Sequence, residues 1–162
     1  MASSLLVIVV LCLTIELWTG VNATCDPDCC EVCPDGWAAF DKKCYQFHMD
    51  HKTWGEAEHF CTTIGGNLPS IHSDFEYQVL RAGILRASGA HTNIWVGGYD
   101  ATHEGIWLWS DGTKFDFNGW GKGEPNNSGG EHCMEMNFNG QDIINDMRCD
   151  RKKAFVCVTY PQ

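Results

Sequence analysis

The chain is short of positive charge, with 11 Lys and Arg residues against 21 Asp and Glu and a formal net charge of −10. Proteins that bind a phosphate backbone use Lys and Arg to release counterions, so this balance excludes a nucleic-acid ligand. Beyond Leu13 there is no long apolar run, and we expect no membrane anchor. The motifs GxSxG and HExxH and the phosphate-binding loop are also absent, so we expect no enzyme activity.

The one long apolar run lies at the N-terminus, from Leu5 to Leu13, and small residues follow it at Val21 and Ala23. This arrangement is typical of a secretory signal peptide over residues 1–23, and we expect the protein to be secreted and extracellular. Cleavage after Ala23 would leave 139 residues with a net charge of −9. That length suits one domain with a short tail.

Cysteine, by contrast, is abundant, since nine of the ten cysteines remain after signal cleavage. In a secreted chain this richness indicates disulfides. Residues 24–32 form a cysteine-rich tail, and because nine is odd, at least one cysteine has no partner within the chain. We expect the tail cysteines to link chains into a homodimer or oligomer: Cys25, Cys29 and Cys30. Zinc on the Cys30–Cys33 CxxC motif is the alternative, but no second pair completes such a site.

Six cysteines lie in the remaining body of the chain, and their spacing alone leaves 15 pairings open. Two capping boxes there, Thr53–Glu56 and Ser73–Glu76, predict two helices. Gly65-Gly66 ends the first helix, and the second runs to about Ala87. The residues of the second helix that we expect to face the core are Phe75, Val79, either Ala82 or Gly83, and Ile84.

The second half of the body has the pattern of short buried strands. They are expected at 93–98, 106–109, 134–138 and 154–158. Residues 110–132 form a long polar, Gly-rich loop, and loops of this length in small domains are usually functional or disordered. The fold class is therefore α+β, with two helices, mixed and antiparallel strands and one long loop, stabilised by disulfides.

Oxygen-bearing side chains occur in that loop and again in the segment just before Cys149. A pairing of Cys133 with Cys149 would bring these two segments together. Three carboxylates repel one another unless a cation joins them, and oxygen ligands without Cys select Ca2+, which takes 6–8 of them. Vicinal sugar hydroxyls could fill the remaining positions. The same residues also suit an ordinary solvated turn. The cluster consists of Glu124, Asn126, Glu131, Asn145 and Asp146.

These motifs, taken with the cysteines and the Trp95-Val96-Gly97-Gly98 strand, resemble a C-type lectin domain of the long form, and the resemblance covers Cys33 to Cys157. It implies a lectin domain over residues 33–160. It also implies three disulfides: Cys33–Cys44, Cys61–Cys157 and Cys133–Cys149.

The resemblance implies that the five oxygen-bearing residues hold calcium and contact the carbohydrate. Glu124 and Asn126 match the family's EPN motif, which implies mannose-type ligands such as mannose, N-acetylglucosamine and fucose. Ile144 replaces the Trp of the WND motif, and we expect altered packing rather than a lost site. Asp100 and Glu104 match half of an auxiliary calcium site, which we expect to be weak.

The resemblance is to soluble fish lectins in particular, so we expect innate recognition and agglutination of microbes through mannose-type glycans. Two other functions remain open. One is ice binding, as in type II antifreeze proteins of this fold, although their extra disulfides lie inside the domain. The other is protein binding, as in venom or inhibitor members, which usually lose calcium ligands.

Overall fold

A computed structural model describes residues 32–161. The predicted signal peptide and the tail cysteines lie outside these residues. The strands are β1 (Ala38–Phe40), β2 (Lys43–Lys52), β3 (Ile94–Tyr99), β4 (Leu108–Trp109), β5 (Cys133–Met136), β6 (Ile144–Met147) and β7 (Lys153–Thr159). The helices are α1 (Trp54–Thr63) and α2 (Asp74–Ser88), with a short 3-10 turn at Phe138–Gly140. No helix within this range is both long and apolar enough to cross a bilayer.

All seven strands join one sheet in the order β1-β2-β7-β3-β5-β6, and β4 adds to β3. Every pairing is antiparallel except that of β3 with β7. The strands β3 and β5 are buried along almost their whole length. Burial on both faces explains why β3 is a continuous run without charged residues in the sequence. The α+β prediction is confirmed.

The helix α1 begins as its capping box predicts. Thr53 Oγ1 accepts from the Glu56 N–H, and the Glu56 carboxylate accepts from the Thr53 N–H. In α2 the Ser73 hydroxyl likewise accepts from the Glu76 N–H. The Glu76 carboxylate, however, accepts from the His72 N–H, so the second box closes one residue earlier than predicted. Both helix starts are therefore fixed by local side-chain bonds.

The predicted buried face of α2 is partly wrong. Tyr77, Leu80 and Ile84 are the buried residues, whereas Phe75 is 59% exposed. Phe75 lies in the first turn beside Phe40 of the edge strand β1, with ring centroids 6.4 Å apart. Because the sheet ends at β1, no other segment of residues 32–161 covers this pair from outside, and both rings are exposed. The buried face of α2 therefore begins at Tyr77, two residues after Phe75.

Three disulfides fasten this sheet, in the pairing that the resemblance implies: Cys33–Cys44, Cys61–Cys157 and Cys133–Cys149. Because Cys33 is bonded to Cys44, it is not available for the zinc alternative. The bond between Cys61 and Cys157 joins α1 to β7 across 96 residues of chain. The bond between Cys133 and Cys149 joins the start of β5 to the segment after β6.

Candidate functional site

The ladder between β5 and β6 positions two of the five predicted ligands. Asn145 lies opposite Glu135 and Asp146 opposite Met134. Both ligand residues are nearly inaccessible, with 3% of Asn145 and none of Asp146 exposed. Buried polar side chains of this kind need partners in order to be stable. The pairing of β6 with β5 therefore fixes the positions of Asn145 and Asp146 on the edge strand of the sheet.

Asp146 anchors that loop. Its Oδ1 accepts from the Asn126 N–H at 3.0 Å, and its Oδ2 accepts from the Asn127 N–H at 2.7 Å. The preceding peptide bond, Glu124–Pro125, is cis. Hydrogen bonds to a carboxylate are stronger than neutral ones, so the two bonds fix the EPN segment against β6. The convergence of Glu124, Asn126 and Asp146 that the sequence suggests is present.

A second pair of bonds shapes the rest of the loop. Asn127 has a left-handed backbone, at φ 46°, and its Oδ1 accepts from the Glu131 N–H at 2.7 Å. Asn126 Oδ1 accepts from the Ser128 N–H at 2.8 Å. Asn tolerates the left-handed region better than most residues, which explains the residue type at 127. These contacts place Glu131, which is buried, at the same end of the sheet as Asp146.

Ile144, which stands where the WND motif has Trp, is a core residue. It is 1% exposed, belongs to the main core and forms a bridge with Trp120. Its carbonyl accepts from the Gly121 N–H at 2.9 Å. A Cβ at Gly121 would lie 2.4 Å from the Ile143 side chain, so this close approach depends on Gly. Trp120 packs edge-on against Trp107, with ring centroids 4.6 Å apart, and stabilises the base of the loop.

The carboxylates of the site destabilise one another. Burial, followed by the approach of Asp146 and the charge of Glu131, raises the pKa of Glu124. Burial and then the charge of Asp146 raise the pKa of Glu131. Glu124 Oε2 is also buried without a hydrogen-bond partner in the described part of the chain. A partnerless carboxylate oxygen beside two other acids fits a cation with oxygen ligands, as Ca2+ requires.

A second group of ligand atoms lies at the end of β3. Within residues 32–161, Asp100, Glu104 and His132 form the one trio of acidic or His side chains whose ligand atoms all lie within 4.8 Å. His132 Nδ1 is 3.1 Å from Asp100 Oδ1 and 3.3 Å from Glu104 Oε2. The imidazole thus already contacts both acids of the predicted auxiliary site. An N–H donated to them would compete with a cation, in keeping with a weak site.

The sequence reasoning missed two residues next to the main site. Glu135 is completely buried and accepts from Asn145 Nδ2 at 2.8 Å, and Lys153 Nζ lies 2.6 Å from the other oxygen of Glu135. The available signal was an acid in the middle of the buried strand Cys133–Met136. Charged residues are almost never fully buried unless they are paired.

The sequence profile of the Lectin C-type domain matches residues 50–159. The chain belongs to the C-type lectin domain family. Ladderlectin of Oncorhynchus mykiss is 42% identical over 72% of this chain, although the match spans only 62% of ladderlectin's own length. The "Galactose-specific lectin nattectin" of Thalassophryne nattereri is 40% identical over 85% of this chain and 87% of its own.

Solved C-type lectin domains have the same fold. The cow CD23 carbohydrate-recognition domain, determined with a GlcNAc2Man3 oligosaccharide, is 35% identical with a TM-score of 0.72, covering 82% of this chain and 99% of its own. Herring type II antifreeze protein is 28% identical with a TM-score of 0.74, and the match covers 80% of this chain and 100% of the antifreeze protein. This C-type lectin is therefore a member of a non-enzymatic carbohydrate-binding family, and the expectation that it is not an enzyme is confirmed.

Proposed function

We propose that this chain is a secreted, calcium-dependent lectin that binds mannose-type glycans. The main support is the anchoring of Asn126 and Asn127 on the buried carboxylate of Asp146, next to a Glu124 oxygen that has no hydrogen-bond partner among residues 32–161. The residues that would hold the ion are Glu124, Asn126, Glu131, Asn145 and Asp146. A bound Ca2+ would supply open coordination positions for two vicinal sugar hydroxyls.

Sugar selectivity is proposed to come from the order of Glu124 and Asn126. A carboxylate only accepts hydrogen bonds, whereas an amide can also donate them, so each sugar hydroxyl meets a defined partner. With the acid first and the amide second, the pair suits the equatorial 3- and 4-hydroxyls of mannose-type sugars. Because nattectin is described as galactose-specific, this proposal rests on the residues of this chain rather than on that relative.

Affinity chromatography tests the function directly. We expect the protein to bind immobilised mannose in the presence of calcium, to elute with a chelator, and to pass through immobilised galactose. Retention on neither sugar by a protein that binds calcium would contradict the proposal. Thermal hysteresis measured on the same sample would then identify the second candidate, ice binding, which is favoured by the structural similarity to herring antifreeze protein.

A charge-neutral swap tests the basis of selectivity. The double variant Glu124→Gln/Asn126→Asp keeps the number of acids and oxygen ligands but reverses the order of acceptor and donor. We expect mannose affinity to fall roughly tenfold or more, because each mispaired group loses about 1–3 kcal/mol. Retention on galactose should appear, while calorimetry should show calcium affinity changed by only a few-fold. Unchanged mannose preference would contradict the assignment of selectivity to these residues.

The tail is proposed to link chains covalently and so to allow agglutination of microbial surfaces. We expect the variant Cys25→Ser/Cys29→Ser/Cys30→Ser to run as a monomer on non-reducing gels and to lose agglutination. Its affinity for free mannose should stay the same, because linked sites raise avidity by roughly 10²–10⁴ without changing the single site. A variant that still agglutinates as a covalent oligomer would show that other cysteines link the chains.

A further inference from the structure

We infer that the buried ion pair between Glu135 and Lys153 orients the Asn145 side chain so that its oxygen, not its nitrogen, faces the proposed calcium site. The inference rests on the proposed function for the identity of the ion. The pair itself is argued from contacts that involve no metal. Neither residue touches the ion in this scheme, so both are positioning residues.

The first step is the contact between Glu135 and Asn145. They face each other directly across β5 and β6, and Asn145 Nδ2 donates to Glu135 Oε1 at 2.8 Å. An ionised carboxylate has no hydrogen to donate, so only the NH2 end of the amide can face it. The amide oxygen of Asn145, which is the atom that can ligate a cation, then points away from Glu135.

The second step is the ion pair that fixes Glu135. None of the Glu135 surface is exposed, and charged residues are almost never fully buried unless they are paired. Lys153 Nζ lies 2.6 Å from Glu135 Oε2, an ionic contact rather than an aligned hydrogen bond. This contact occupies one carboxylate oxygen, and the other, Oε1, accepts from the Asn145 amide. The ion pair thus defines the amide orientation.

The third step is what holds Lys153. Its Nζ lies 5.3 Å from the centre of the Trp95 ring, within cation–π range. Trp95 is fully buried and pairs with Glu135 across β3 and β5. Lys153, Trp95, Glu135 and Asn145 thus form a line across the four adjacent strands β7, β3, β5 and β6. The sheet itself fixes the spacing of this line.

The test separates positioning from stability. In the double variant Glu135→Met/Lys153→Met both charges are replaced by apolar groups, and such replacements of buried pairs are often neutral or stabilising. We expect its urea midpoint in chelator to match or exceed that of the wild-type chain. Calcium affinity by calorimetry should nevertheless fall roughly 10–100-fold, as when an outer-shell partner of a metal ligand is removed.

A matched control isolates the effect of the Lys153 charge. Lys43 is exposed to a similar degree, 14% against 15%, and also pairs with a glutamate, Glu76 at 3.2 Å. Lys43→Met should leave calcium affinity within about twofold, whereas Lys153→Met should lower it at least tenfold. An equal loss in both variants would overturn the inference, because it would reflect net charge alone.

Should the double variant not fold, Glu135→Gln decides the matter. Gln keeps the shape of Glu but accepts either end of the Asn145 amide, and we expect roughly a tenfold loss of calcium affinity. Unchanged affinity in a folded Glu135 variant overturns the inference and leaves the proposed function intact. Absence of calcium binding by the wild-type chain overturns the proposed function and this inference with it.

Discussion

Replacing Asp146 with Asn should weaken calcium binding by roughly 100-fold or more and abolish calcium-dependent retention on mannose. Each carboxylate oxygen of Asp146 accepts one backbone N–H from the EPN loop. An amide can accept only one of them, and an unpaired buried donor costs about 1–3 kcal/mol. The lost negative charge adds to this, and a total near 3 kcal/mol corresponds to roughly a 100-fold change in affinity. Calorimetry with Ca2+ measures the first effect and the mannose column the second.

Asp150→Asn is the matched control for this variant. Asp150 lies four residues later and is exposed, and its one ion pair within residues 32–161 is with Arg148, at 2.6 Å. Exposed ion pairs contribute roughly 0–1 kcal/mol, so calcium affinity and retention should stay the same. Wild-type calcium affinity in a folded Asp146→Asn variant would contradict the assignment of Asp146 to the metal site. It would also remove the main support for the proposed function.

The parts of this molecule that depend on neighbouring residues were predictable from the sequence. Thr53 and Ser73 start their helices through hydrogen bonds to residues three positions later. The residue types that form such local bonds can be recognised in the sequence. The disulfide pairing was different, since spacing alone left many choices and only the family resemblance selected one. Loop residues such as Asn126 were first predicted as ligands from the cluster of oxygen-bearing side chains, and the resemblance then matched them to the EPN motif.

Features that depend on the packing of distant segments were not predictable. Phe75 was expected in the core because its spacing suited a helix face, but the sheet ends beside it. Glu135 is the reverse, a charged residue that is buried. Its position between two methionines does not reveal that Lys153 and Asn145 contact it from other strands. Periodicity describes one segment at a time, whereas the partners of a buried charge come from several.

Removing the disulfide between Cys61 and Cys157 should lower the free energy of unfolding by about 4–5 kcal/mol. The bond closes a segment of 96 residues, so reduction frees a large part of the unfolded chain. The bond between Cys133 and Cys149 closes only 16 residues, and the same chain-entropy reasoning gives about 3 kcal/mol for its loss. Urea unfolding of the two double Cys→Ala variants, in chelator, measures both values.

The variant without the Cys133–Cys149 bond, which loses less stability, should lose more calcium affinity than the variant without the Cys61–Cys157 bond. Cys61 and Cys157 join α1 to β7, whereas Cys133 lies two residues after Glu131 and Cys149 three residues after Asp146. Loss of the shorter bridge therefore frees both ends of the ligand-bearing segments and adds an ordering cost to each binding event. Calorimetry below the unfolding transition should show weaker calcium binding for this variant and nearly wild-type affinity for the other. If affinity instead followed stability, the site would depend on the whole fold rather than on this local clamp.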